Sequence, residues 1–204
     1  MASQFLADPN SRIGVLICGH GSRLSLAIDE FAYLSQKIKS FLPGIPVQYG
    51  YLEFAHPVIT EALDRLREQS VDRVIAIPAM LFAAGHAKND IPVILKKYSK
   101  KTGLRIDYGR ELGINSLMIG AAGARVKESL ELNKTYPSSE TLLAVVGRGS
   151  SDPDANSNVT KITRMLVEGL GMGWGETLFS GVTFPLVEPG LRYLVKLEYK
   201  RIVI

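Results

Sequence analysis

The sequence predicts an α/β protein made of two similar domains, each a parallel sheet with helices on both faces. Three observations carry this. Short apolar runs alternate along the chain with longer segments of helical period. Aligning Gly21 with Gly149 sets an offset of 128 that carries Ser22 to Ser150, Pro57 to Pro185, Leu63 to Leu191, Leu66 to Leu194 and Arg73 to Arg201. No gap is needed over about sixty residues, which points to internal duplication. A polar segment, "NKTYPSSE" at 133–140, separates the two copies and contains a turn-forming proline.

Each element follows from local pattern. "IGVLIC" (13–18) reads as a buried strand, and Leu24, Ile28, Phe31, Leu34, Ile38 and Phe41 then recur at steps of three and four, the signature of a helix face. "PG" at 43–44 ends that helix. "PVQYGYLEF" (46–54) is a second strand, and Val58, Ile59, Ala62, Leu63 and Leu66 mark a second helix opened by Pro57. "DRVIAIPAM" (72–80) is a third strand. A glycine-containing loop, a helix near 90–100, a strand "LRIDY" (104–108) and a helix across 113–132 follow. The expected division is an N-terminal extension (1–12), a first domain (13–132), a linker (133–140) and a second domain (141–204). Residue 204 aligns with Ala76, so the second domain is expected to be incomplete, either truncated or completed by another chain.

Composition narrows the function. The 204 residues are 46% hydrophobic, enough for a packed core. A net charge of +4 favours anionic partners without requiring nucleic acid. One cysteine, Cys18, cannot form a disulfide framework, and a reducing, cytoplasmic setting is expected. The N-terminus has neither the basic start nor the apolar core of a secretion signal, and no apolar run suits a membrane span.

The three histidines fall in loops that leave the carboxyl ends of the first three predicted strands: His20 in "GHGS", His56 before Pro57, and His86 in "FAAGHAKND". In a parallel sheet this edge forms the ligand crevice, above all where strand order reverses. Any one loop histidine also fits a surface hydrogen-bonding role, and His56 could simply cap its helix. Neutral imidazole holds divalent cobalt, nickel, iron or zinc and accepts a proton near neutral pH. Two loop histidines without a cysteine or carboxylate cluster suit passage of a metal better than a closed structural site. Glu53 is the one nearby acidic candidate for an added oxygen ligand, and a strand-end surface charge explains it as well. "GHGS" lacks the spacing of a phosphate-binding loop and of a nucleophile elbow. In the second copy Arg148 stands where His20 stands in the first.

The motifs "GHGSR" (19–23), "EFAHP" (53–57), "LFAAGHAKNDIP" (81–92) and "VVGRGSSDPDANS" (145–157) together resemble the CbiX family of sirohydrochlorin cobaltochelatases, class II chelatases, in its long, duplicated form. The resemblance runs from about residue 13 to the end. It implies two flavodoxin-like, three-layer domains across a cleft and insertion of Co2+ into sirohydrochlorin in anaerobic cobalamin biosynthesis. It also implies that His20 is proton acceptor and metal ligand and His86 a second catalytic metal ligand. Leu81, Phe82, Ala83, Ala84, Gly85 and His86 resemble the family's substrate-binding segment. At position 56 the short-form family carries a substrate-contacting glutamate, and this chain has His56. Arg148 is suited to hold a substrate carboxylate, or else pairs with Asp152 or Asp154. The expected partners are the anionic tetrapyrrole and a divalent metal, with Co2+ a substrate and no permanently bound cofactor. No nucleic acid or membrane partner is expected, and a homo-oligomer is compatible with the sequence. Three alternatives remain open: a ferro- or nickelochelatase of the same class, a non-catalytic tetrapyrrole- or metal-binding module, and a phosphate-binding α/β regulator.

Overall fold

The computed structural model describes residues 12–132 and 134–204, and at His86 the backbone alone. The expected extension therefore lies outside the described residues except for Arg12. Two compact units divide the chain at Leu112 and Gly113.

The first unit runs β1 (Ile13–Gly19), α1 (Ser25–Ser40), β2 (Val47–Tyr51), α2 (Ile59–Glu68), β3 (Arg73–Pro78), a π-helical turn (His86–Asp90), α3 (Ile91–Thr102) and β4 (Arg105–Tyr108). Its sheet is parallel throughout, in the order β2-β1-β3-β4. Strand β1 is buried on both faces, which is why it reads as an unbroken apolar run. Leu16 and Cys18 point to a core closed by α2 and α3 through Ile59, Leu63, Leu66, Ile91 and Leu95. Val15 and Ile17 point the other way, onto Phe31, Ile38 and Leu42. Three layers result.

The buried face of α1 differs from the one its apolar residues suggest. Leu24, Leu34 and Phe41 are exposed, and Ser35 is buried between Phe31 and Ile38 with its hydroxyl donating to the Phe31 carbonyl at 2.9 Å. A hydroxyl that bonds to its own helix is cheap to bury, so the hidden stripe can include it.

The second unit contains α4 (Ser116–Leu132), β5 (Thr141–Gly147), α5 (Pro153–Leu170), β6 (Trp174–Phe179), α6 (Val187–Leu194) and β7 (Arg201–Val203). Its parallel sheet has the order β6-β5-β7, the same as β2-β1-β3. Helix α6 covers one face through Leu178, Leu191 and Leu194, and α5 packs on the other. The domain boundary expected after residue 132 is corrected here. Helix α4 packs on α5 and β7, with the buried Gly123 against Leu166, so it belongs to the second unit. Its apolar pattern shows that it is a helix and says nothing of which sheet it covers.

The duplication is visible atom by atom. Tyr51 N donates to Pro57 O at 2.8 Å, and Phe179 N to Pro185 O at 2.8 Å; Leu52 N donates to Gly19 O and Ser180 N to Gly147 O, each at 2.9 Å. Every partner in the second set lies 128 positions beyond the first.

Candidate functional site

In the first sheet the chain passes from β1 to β2 on one side and then crosses to β3 on the other, so strand order reverses between β1 and β3. The loops after those two strands flank the crevice that such a reversal opens. They carry His20 and His86.

The β1–α1 loop is zipped to the β2–α2 loop. Leu52 N donates to Gly19 O at 2.9 Å and Glu53 N to His20 O at 3.1 Å, continuing the sheet past its last strand residue. Both glycines around His20 are required by packing. A Cβ at Gly19 would lie 2.7 Å from the Phe31 ring, and one at Gly21 would overlap the Glu53 carbonyl oxygen. Gly21 also has φ of +95°, a region that L side chains avoid. In the second copy Gly149 has φ of +87° and lies against the carbonyl of Gly181. The glycines thus build the loop in both copies, and the residue between them is left to vary.

That pairing brings His20 and Glu53 together. His20 Nε2 lies 3.5 Å from Glu53 Oε1, with the two side chains 30% and 40% exposed, and His20 Nδ1 is 3.1 Å from the Gly21 carbonyl. With Nδ1 donating to that carbonyl, Nε2 turns its lone pair toward the carboxylate. An imidazole nitrogen and a carboxylate oxygen at this separation can share a proton or ligate one cation. Ligands about 2.1 Å from a tetrahedral metal stand about 3.4 Å apart. The pair therefore fits either a divalent metal or a proton.

Phe54 follows, half exposed and with φ of +65°. Its ring centroid is 6.0 Å from that of His20, tilted by 32°, and the Arg23 guanidinium carbon lies over it at 4.9 Å. Arg23 and Phe54 lie within "GHGSR" and "EFAHP", but the sequence pattern gives neither a role.

His56 is exposed and turns away to α2, where Nδ1 lies 3.2 Å from both carboxylate oxygens of Glu61. Glu61 also accepts from Val58 N at 3.0 Å. The hydrogen bond from His56, followed by that from Val58, holds the Glu61 carboxyl below the usual carboxylate range. Glu61 thus takes the backbone N–H of Val58 at the start of α2, and His56 contacts that carboxylate without capping the helix itself.

His86 opens the π-helical turn at the start of the segment leading to α3, and its side chain lies outside the described residues. Such turns are rare and recur at functional sites. The preceding Leu81 and Gly85 are exposed, and Phe82, Ala83 and Ala84 are half-buried. The turn is tied to β4 by Tyr108, whose hydroxyl donates to Ala87 O at 3.0 Å. Burial, the largest cause, pushes the Tyr108 phenol up to about 12, so it remains a donor. Sequence reading missed this anchor because its partner is a backbone carbonyl. Behind the site, burial pushes the Cys18 thiol up to about 12 and keeps it unreactive. Among the described residues no group of three or more His, Cys, Asp and Glu side chains is gathered for a metal.

In the second unit Arg148 is exposed at the carboxyl end of β5, and no described carboxylate pairs with it, neither Asp152 nor Asp154. Asp152 caps α5 instead, accepting from Asp154 N at 3.0 Å. Val182 and Phe184, in the β6–α6 loop on the same edge of that sheet, are 72% and 79% exposed. They replace Phe54 and His56 of the first copy, and Gly181 replaces Glu53. The second copy has therefore lost both members of the His20–Glu53 pair.

Comparison with known proteins agrees with the fold. The sequence model of the CbiX family matches residues 14–129 and 142–204. A "Sirohydrochlorin cobaltochelatase" of Priestia megaterium is 37% identical over 93% of this chain and 62% of its own length. A "Sirohydrochlorin ferrochelatase" of Bacillus subtilis (strain 168) is 34% identical over 76% of this chain and 58% of its own. The chain thus spans about three fifths of the length of these curated relatives. The structure of SirB from Bacillus subtilis with Fe3+ superposes with a TM-score of 0.81 at 27% identity, covering 90% of this chain and 71% of that one. No described helix is long and apolar enough to cross a membrane.

Proposed function

Because the chain belongs to the CbiX family, we propose that it is a sirohydrochlorin chelatase that inserts Co2+ into the tetrapyrrole, with His20 at the reacting centre. The observation that carries this is the placement of His20 Nε2 3.5 Å from the Glu53 carboxylate at the switch point of the first sheet.

Insertion of a divalent ion removes two protons from pyrrole nitrogens and strips the ion of water. A neutral imidazole has one ring lone pair, so His20 holds the metal or accepts a proton, never both at once. Taking up one pyrrole proton thereby releases the metal toward the macrocycle, the Glu53 carboxylate stabilises the imidazolium that forms, and the second pyrrole proton passes to solvent. Glu53 and His86 complete the ligand set on this reading, and the loop from Leu81 to Gly85 lies beside the substrate. In the second unit the exposed Arg148 offers charge-assisted hydrogen bonds to an anionic group, and the exposed Val182 and Phe184 lie on the same edge of that sheet. His56 sits at the rim, engaged with Glu61.

Cobalt is preferred as the metal because, of two relatives that each cover 93% of this chain, the one named a cobaltochelatase is 37% identical and the one named a ferrochelatase 27%. The ferrochelatase named among the relatives supports iron as a second reading. The test is anaerobic absorbance of sirohydrochlorin with Co2+, and in parallel with Fe2+ and Ni2+, beside His20→Ala and His86→Ala variants. The expected result is enzyme-dependent conversion fastest with Co2+ and slowed about 100-fold or more in His20→Ala. Binding of the tetrapyrrole without acceleration would overturn the chelatase in favour of a binding module.

A further inference from the structure

Arg23 is the arginine of the first domain's β1–α1 loop, and its position is built. It is exposed, it lies two residues before α1, and among the described residues no carboxylate pairs with it. Its guanidinium is held 4.9 Å over the Phe54 ring. That contact uses the charge and leaves the five N–H donors to other acceptors. Phe54 can receive it because the backbone there takes φ of +65°, a conformation that a bulky residue adopts only when the surrounding loop dictates it. The same ring is 6.0 Å from that of His20, so the cation and the imidazole share one aromatic neighbour.

The second copy shows what is special to the first. Val182 keeps the backbone turn, at φ of +66°, and loses the ring; Ser151 stands in place of Arg23, and the arginine appears at 148 instead. Each copy thus presents one arginine from its first βα loop. In the second copy it occupies the histidine position, and in the first it is displaced by three residues and fixed on an aromatic ring so that the histidine can remain.

We propose that Arg23, pre-oriented by Phe54, binds a carboxylate of the anionic tetrapyrrole and fixes the macrocycle in register with His20. This rests on the chelatase reading for the identity of the ligand. Arg23 is a substrate-binding residue, and Phe54 is a positioning residue acting through it.

The experiment is metal-free titration of sirohydrochlorin into the full chain, read by absorbance, together with Co2+ binding alone and steady-state insertion. Arg23→Ala is expected to weaken tetrapyrrole binding and raise its KM about tenfold, with kcat within about twofold and Co2+ affinity unchanged. Arg23→Lys should recover part of the loss. Phe54→Leu should cost about threefold. Arg164→Ala, which removes an equal charge from a surface ion pair with Glu168 on α5, should change nothing. Wild-type tetrapyrrole affinity in Arg23→Ala, with insertion still abolished in His20→Ala, would overturn the Arg23 assignment and leave the chelatase standing. Loss of Co2+ affinity along with tetrapyrrole affinity would also overturn it, showing only a disturbed loop. An Arg23-dependent binding curve without any metal insertion would retain the assignment and remove the chelatase.

Discussion

A methyl group at position 21 has nowhere to go. It would meet the Glu53 carbonyl, and the backbone there has φ of +95°. Gly21→Ala is expected to destabilise the first unit by at least about 2 kcal/mol, combining overpacking with the left-handed backbone. Urea denaturation checks this, and a loss below about 0.5 kcal/mol would show that the two loops are less tightly zipped than the structure has them. His20 was legible in the sequence because its flanking glycines and position after an apolar run are local features. Phe54, Arg23 and Tyr108 were not, since what distinguishes them is a ring under a cation and a hydroxyl on a distant carbonyl. Neither has a spacing signature. Glu53 reads from sequence as an oxygen ligand or a strand-end charge, and the loop pairing puts its carboxylate 3.5 Å from His20 Nε2.

At the scale of elements, the strands were legible to within a few residues because each is an apolar run closed by a turn. The hidden face of α1 was not, because Ser35 takes a buried place that composition assigns to Leu34. Nor was the tie between β3 and β4. Arg73, with its side chain only 10% exposed, pairs with Asp107 across those strands, while its counterpart Arg201 donates to Thr141 Oγ1 at 2.9 Å and Tyr136 O at 2.8 Å. Asp107→Ala leaves a buried guanidinium short of its carboxylate and is expected to cost about 2 kcal/mol, tempered by the partial exposure of the carboxylate. Glu168→Ala, at an exposed pair with Arg164, should cost about 0.3 kcal/mol. Thermal denaturation of both variants tests the contrast, and equal effects would mean that the Arg73 pair is solvated.

At the scale of the molecule, the duplication organises everything. Two sheets share the order in which a central first strand is flanked by the next two, and the same backbone hydrogen bonds recur 128 positions on. The boundary between the units falls before α4 and not after it. A fragment of residues 12–112 is therefore expected to unfold cooperatively, and a fragment of 12–132 to be no more stable than it by more than about 0.5 kcal/mol. A larger gain in urea denaturation would return α4 to the first unit.

By itself the sequence determined the α/β class, the repeat, and the histidines at the carboxyl edge, because apolar period, self-similarity and turn residues are properties of neighbours along the chain. Only the tertiary structure decided which sheet α4 covers, that Glu53 meets His20, that His56 turns instead to Glu61, and that Arg23 lies over Phe54. Those outcomes depend on which loops the strand order brings side by side, and strand order is fixed by packing between residues far apart in the chain.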